Sequence, residues 1–276
     1  SRLTVASVPL VRELAAVEDD IGRLLVAVVD RSSARCYWVT AFGAEAAGPV
    51  LEAEDASLEP PTRAGRRVGS RVGERGYHNR IRNAQQRHWE AVAQRLFALD
   101  RAEPARAIIL LGSGTAAVAV DPFLHPYLAA RLIGHGTVAP RTATPAAVHQ
   151  AALEVRHDWE RARERAAVAE MRERLGEGWA VNGVAASLKA LSEGKVRTLL
   201  VRGDTSLPGF RLAGSGRLLL AGQGGAWRGE GEPEPVADVV DEALEEALRQ
   251  RVAVNVLYDE EAAKRVDGLA ALLRFK

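Results

Sequence analysis

Between Arg63 and Arg95 the chain sets nine arginines against two acids, Glu74 and Glu90. A guanidinium is planar, permanently charged and able to grip phosphate through two parallel hydrogen bonds, so a run of this kind is chemistry for holding a polyanion, nucleic acid first among them. The whole sequence carries 37 basic and 36 acidic residues, and the window accounts for nine and two of them, leaving 28 against 34 elsewhere. A segment of plus seven on a body of minus six steers one surface toward phosphate and keeps the remainder solvated. Only Lys189, Lys195, Lys264 and Lys276 are lysines. A compositional drift toward alanine and arginine would raise arginine everywhere, but would not gather it between residues 63 and 95. The residues expected to contact RNA are Arg66, Arg67, Arg71, Arg75, Arg80, Arg82 and Arg87. Tyr77, His78, His88 and Trp89 lie among them with rings that can stack on bases, although Trp89 also fits a buried rhythm.

Other chemistry in the sequence is thinner. Glu74, beside Gly73, is a carboxylate inside the basic segment, and with a raised pKa it would serve as a general base toward water. Ser113, Asp121 and His125 are the residue types of a nucleophilic triad, but no nucleophile-elbow pattern surrounds them. Gly112-Ser-Gly114-Thr-Ala-Ala117 after an apolar run mimics a dinucleotide fingerprint; the acid that should follow about twenty residues later is missing, and a tight turn explains the glycines. The six histidines show neither H-x-x-x-H nor His-Cys spacing, so neither a metal nor another cofactor is expected. The single Cys36 excludes an internal disulfide and fits a reducing cytoplasm. No apolar run approaches the length that crosses a bilayer, so neither a secretory leader nor a membrane partner is expected. The chain opens at Ser1 without methionine, which suggests a piece of a longer protein.

The elements that must position this chemistry alternate in type. Residues 22–30 and 34–42 read as a β-hairpin closed by Arg31-Ser32-Ser33, and residues 43–61 as irregular apart from a short strand over 50–53. Gly65, Gly69, Gly73 and Gly76 mark the start of the arginine segment as a loop. Beyond Tyr77, apolar positions recur every three to five residues through Leu99, which predicts an amphipathic helix of about six turns. A buried strand follows over 105–111, then a helical stretch over 127–133 and a short strand over 137–139. Thr144-Pro145 opens the longest helix, which runs to Gly176 and spans roughly 45 Å, long enough to link two domains. The final hundred residues read as helix 181–192, strand 196–201, an irregular stretch 203–235, helix 236–250, strand 252–257, helix 259–266 and strand 269–275. Such alternation implies a largely parallel sheet covered by helices. The fold class is α/β: two α/β domains with mixed sheets flanked by helices, joined by a long helix. The expected partition is a linker at 1–18, a domain at 19–144 carrying the basic segment, and a second domain at 145–276.

Two blocks near the C-terminus, Val181-Asn-Gly-Val-Ala-Ala-Ser-Leu-Lys-Ala-Leu-Ser-Glu-Gly-Lys-Val196 and Asp267-Gly-Leu-Ala-Ala-Leu-Leu-Arg-Phe275, resemble the C-terminal domain of archaeal and eukaryotic peptide-chain release factors and their Pelota-like ribosome-rescue relatives. Ala107-Ile-Ile-Leu-Leu-Gly-Ser113 resembles a strand of their central domain, and Pro9-Leu-Val-Arg-Glu-Leu14 with residues 25–35 is similar to the bacterial branch. The resemblance covers most of residues 8–276. It implies a central domain that reaches transfer RNA and a C-terminal domain that docks on the ribosome or a translational GTPase. It also implies a Gly-Gly-Gln loop ahead of a basic helix, the element that hydrolyses peptidyl-tRNA. Aligned through Arg87-His88, that tripeptide falls on Val72-Gly73-Glu74, where only the second glycine survives. Valine is strained at positive φ, and a carboxylate neither donates a hydrogen bond nor approaches RNA phosphate without repulsion.

The sequence therefore reads first as a ribosome- and tRNA-binding, translation factor-like protein of the rescue or hibernation type that leaves the peptidyl ester intact. Two alternatives stay open: a peptidyl-tRNA hydrolase or tRNA-directed nuclease acting through Glu74, and a protein adaptor acting through the C-terminal domain.

Overall fold

A computed structural model describes residues 22–53, 70–222 and 231–276, with the backbone alone for residues 70–80 and Arg141. The described residues divide into two compact units, one ending at Trp159 and the other beginning at Glu160. The division falls inside the long helix, 15 residues after the expected domain start at 145.

The first unit is a mixed sheet with the order β3-β2-β1-β5-β6. β1 (Leu24–Val29) and β2 (Ser33–Thr40) form the expected antiparallel hairpin, while β5 (Ala107–Gly112) and β6 (Leu132–Thr137) run parallel to β1. β3 (Gly43–Ala46) and β4 (Leu51–Glu52) both pair with β2, so the stretch after the hairpin is more ordered than its composition suggests. Every residue of β1 and β5 is buried because helices cover both faces of the sheet. Leu25, Ala27, Val29, Ile108 and Leu110 pack against α1 (Ser70–Ala102). Leu24, Val26, Val28, Ile109 and Leu111 turn the other way, toward Val148 and Ala152 on the first half of α3 (Pro145–Leu175). The side-chain hydroxyl of Thr144 accepts from the Ala147 amide and caps that helix. Between β5 and β6 the helix α2 is confined to Pro126–Ala129, and the residues expected to extend it, Leu132 and Ile133, begin β6 instead. Parallel pairing with β5 outweighs the helical spacing there.

The second unit holds the sheet β12-β8-β13-β7. β8 (Val196–Arg202) is parallel to β12 (Ala253–Leu257) and antiparallel to β13 (Leu269–Leu273), which is antiparallel to β7 (Ala180–Asn182). The sheet is mixed, with two of its three pairings antiparallel, so the largely parallel arrangement is corrected. One face packs on α4 (Val184–Ser192) and α5 (Val239–Arg249), the other on Val168 and Met171 of α3 and on Ala262 of α6 (Glu260–Ala263). The stretch expected to be irregular contains β9 (Gly209–Leu212), β10 (Leu218–Leu220) and β11 (Pro233–Val236), a three-stranded antiparallel sheet.

The two C-terminal sequence blocks, paired through β7 and β13, are also joined by the Asn182 side chain. Asn182 donates from Nδ2 to the Arg265 carbonyl at 3.2 Å and accepts at Oδ1 from the Asp267 amide at 3.0 Å. The adjacent glycines have backbone reasons to be there. Gly183 takes φ 106° between β7 and α4, and Gly268 takes φ 80° where a Cβ would meet Val184 Cγ2 at 2.8 Å.

Candidate nucleic-acid interface

The arginine helix α1 is held by its carboxyl half. Trp89, Val92, Ala93 and Leu96 recur on one face and are buried in the core beneath the sheet. His88 is 4% exposed, and its Nε2 donates to the Asp30 carbonyl at 3.0 Å, just beyond the end of β1. Burial lowers its pKa, against the opposing pull of the Asp30 and Ser33 carbonyls, so a neutral imidazole ties the helix to the hairpin turn. Near the other end Asp100 is 2% exposed, accepts from the Ala105 amide at 2.9 Å, and is paired with Arg131. Burial pushes the Asp100 carboxyl upward, but the hydrogen bonds from Arg131 and Ala105 and the Arg131 charge outweigh it and hold the pKa below its ordinary value.

These contacts set the direction of the helix. His88 stands at the carboxyl end of β1, whereas Asp100 bonds Ala105, which precedes the strand paired with the amino end of β1. The stretch from His88 to Asp100 therefore runs antiparallel to β1 for about 18 Å, close to the length of a six-residue strand. The residues from Ser70 to Arg87 continue past the sheet end for about 27 Å.

Arg82 and Arg87 lie on this projecting half, and both are exposed. Arg87 Nε donates to the Asn83 carbonyl at 3.4 Å, one turn back. Arg71, Arg75 and Arg80 share the same helical backbone. At about 100° per residue, positions 71, 75 and 82 fall within about 40° of one another and positions 80 and 87 form a second stripe. Arg66 and Arg67 lie outside the described residues. Arg95 does not join them: it is half-buried, and its Nη2 donates to the Ala47 carbonyl at 3.0 Å, holding the helix to the segment after β3.

The glycine-marked loop is corrected in part. The helix begins at Ser70 and passes through Gly73 and Gly76, so Gly73 and Glu74 occupy helical backbone rather than a loop tip. Each glycine costs a helix about 1 kcal/mol relative to alanine, which weakens a long helix but does not stop one already nucleated. Gly65 and Gly69 lie outside the described residues. His88 is removed from any stacking role by its burial, and Trp89 belongs to the core.

The other sequence candidates separate. Asp121 is 2.8 Å from His135 Nε2, not from His125. His125 instead caps α2, its Nδ1 accepting from the Tyr127 amide at 3.2 Å, so no triad forms with Ser113. After Gly112-Ser-Gly114-Thr115 the chain enters a short 3-10 turn at Val118–Phe123, which lacks the α-helical N-terminus that a dinucleotide pyrophosphate requires. Among the described residues no group of three or more His, Cys, Asp or Glu could hold a metal ion, and no helix is long and apolar enough to cross a membrane. Spacing could not reveal the Asp100–Arg131 anchor, whose members stand 31 residues apart. His88 was legible only as a polar residue beside Trp89 in an apolar rhythm.

Residues 9–157, more than half of the chain and including all of α1, match the model of bacterial archaeo-eukaryotic release factor family 10. The chain belongs to that family. Solved structures agree on the fold of this release factor family member. Dom34 of S. cerevisiae, described as a translation termination-like factor involved in RNA quality control pathways and interacting with Hbs1, is 11% identical, with 98% of this chain and 69% of Dom34 covered at a TM-score of 0.51. An archaeal Pelota, taken from a model of ribosome-bound Pelota and ABCE1, is 18% identical, with 91% and 61% covered at a TM-score of 0.51. The chain thus spans about two thirds of the length of each. A search of curated proteins returns no match.

Proposed function

We propose that this family 10 protein is a ribosome-binding, translation factor-like protein of the rescue or hibernation type, which lays the projecting half of α1 on tRNA or rRNA phosphates and leaves the peptidyl ester intact. The observation that carries the reading is the exposure of two arginines, Arg82 and Arg87, on a helix that continues past its sheet, in a chain of release factor ancestry. Ribosome association is extended to this chain from the archaeal Pelota, and a factor partner from the Hbs1 interaction of Dom34, with a translational GTPase as the expected kind. In this reading residues 19–144 act as the release factor-like central domain, 145–276 as the C-terminal domain and 1–18 as the approach to them. The replacement of Gly-Gly-Gln by Val72-Gly73-Glu74, on helical backbone at Gly73 and Glu74, supports binding without hydrolysis.

Cosedimentation with purified 70S ribosomes tests the reading. The wild-type chain pellets with ribosomes at low salt, Arg82→Glu with Arg87→Glu does not, and log affinity falls with log salt by about 0.7 to 0.9 for each phosphate contact. Binding that ignores both salt and the charge reversal would refute it. Release of peptide from ribosomes loaded with peptidyl-tRNA, lost in Glu74→Gln, would favour the hydrolase instead. Partner capture unchanged by deleting residues 60–100, with no ribosome binding, would favour the adaptor.

A further inference from the structure

We propose that the outer edge of β12 is a self-association surface, on which a second copy of this chain pairs its own β12 antiparallel about a two-fold axis. β12 ends the order β12-β8-β13-β7, and among the described residues it pairs with β8 alone. Its register runs without a bulge from Ala253 opposite Thr198 to Leu257 opposite Arg202. The strand, Ala-Val-Asn-Val-Leu, carries no charge and no proline. Those are the devices by which sheets prevent an edge from pairing, and their absence leaves a template for another strand. The opposite edge needs no such device, since β7 is three residues long. Ala253 is exposed and the next three residues are partly so. Leu248 and Tyr258, flanking the strand, are 41% and 53% exposed.

The charges at the two ends select the occupant. Arg251 enters β12 with φ 55°, the one positive φ outside glycine among the described residues. It closes α5 through bonds from the Arg251 amide to the Leu248 carbonyl at 3.0 Å and from the Val252 amide to the Ala247 carbonyl at 2.8 Å. Glycine is the residue that suits this left-handed closing position, so arginine here holds an exposed cation at the strand entrance against a conformational cost. At the strand exit Glu260 and Glu261 are exposed at the start of α6. Antiparallel pairing about a two-fold axis sets the entrance of one strand beside the exit of the other, so Arg251 meets Glu260 of the partner subunit twice in each dimer. A foreign strand would have to bring matching charges at both ends, whereas a second copy already has them. Two-fold closure also covers both edges and stops assembly at two.

Analytical ultracentrifugation across a concentration series tests the proposal, with the full chain and with substitutions in β12 and its flanks. The expected result is a monomer–dimer equilibrium. Arg251→Glu weakens it, and Arg251→Glu with Glu260→Arg restores it. Arg251→Gly raises the unfolding temperature by relieving the backbone, yet weakens the dimer about fivefold, because two identical exposed contacts are lost. Ala253→Lys abolishes the dimer while the circular dichroism spectrum stays unchanged. A monomer at every concentration up to about 100 µM, or a dimer indifferent to Arg251→Glu and Ala253→Lys, would overturn it.

Discussion

Arg131→Met removes one half of the anchor at the carboxyl end of the arginine helix. Its guanidinium is bonded to Asp100, donates from Nη1 to the Ala105 carbonyl at 2.5 Å, and lies over the Tyr127 ring at 4.2 Å. With methionine in its place, Asp100, 2% exposed, keeps one identified donor, the Ala105 amide. Stranding a buried charge costs about 3 to 5 kcal/mol, and because the arginine side chain is 21% exposed the lower end applies, about 3 kcal/mol. Asp100→Asn retains an acceptor for the Ala105 amide and gives up the charge-assisted bond, a loss of about 1 to 2 kcal/mol. The double variant should cost less than the two singles together, because the second change removes the stranded charge. Urea titration followed by far-UV circular dichroism reads all three; a loss of about 3 kcal/mol moves the midpoint by about 1.5 M. The pH dependence has a definite sign. The native Asp100 carboxyl titrates below its unfolded value, so its contribution is full above the ordinary carboxylate pKa and is lost as pH falls through the depressed one. The gap between wild type and Arg131→Met should therefore narrow in acid. A cost under 1 kcal/mol, or strictly additive costs, would refute the anchor.

His88, buried and neutral with a lowered pKa, gives the unfolded chain the greater proton affinity, so stability should fall as pH drops below about 6.5 toward the native pKa; His88→Gln should flatten that slope in a urea series against pH. Burial pushes the Cys36 thiol up to about 12, against the opposing charge of Arg95, and labelling by a thiol reagent at pH 8 should track unfolding rather than proceed in the native state. Gly268→Ala should destabilise the second unit by about 2 to 4 kcal/mol in thermal melts, from the left-handed φ and the contact with Val184; a loss under 1 kcal/mol would refute that close approach. Binding of an RNA polyanion should raise amide protection against hydrogen exchange more over residues 70–87 than over 88–102, and equal protection of both halves would count against the phosphate-binding role of the projecting half.

The parts of the fold legible in sequence are those where one physical pattern dominates. Leu24–Val29 and Ala107–Gly112 are unbroken apolar runs because the sheet is covered on both faces, and the 31 residues after Thr144 keep a helical rhythm under a threonine cap. The two C-terminal blocks were recognisable because Asn182, Gly183 and Gly268 are constrained by backbone geometry, so their identities record the fold. Elsewhere local signals competed. Gly134 and Gly136 obscured β6, and Pro208, Pro233 and Pro235 with their neighbouring glycines hid the small sheet of β9, β10 and β11. Of the candidate interface, the clustering of arginine was plain, but which arginine serves structure was not. Arg95 continues the same charge run, and only the proximity of the Ala47 carbonyl, 48 residues away in sequence, separates it from Arg82 and Arg87.

The two halves of α1 obey different energetics. From His88 onward the helix is stabilised by burial, with Trp89, Val92, Ala93 and Leu96 each removing apolar surface from water and His88, Arg95 and Asp100 fastening its position. From Ser70 to Arg87 the sequence works against helix formation, since Gly73 and Gly76 each cost about 1 kcal/mol. Helix nucleation is the unfavourable step, and the anchored half supplies the nucleus from which the projecting half propagates. On the proposed reading, a polyanion that binds only the helical form of this half would couple binding to helix formation by mass action. Phosphate binding would then offset the cost of the projecting half in the free protein, most of which comes from Gly73 and Gly76.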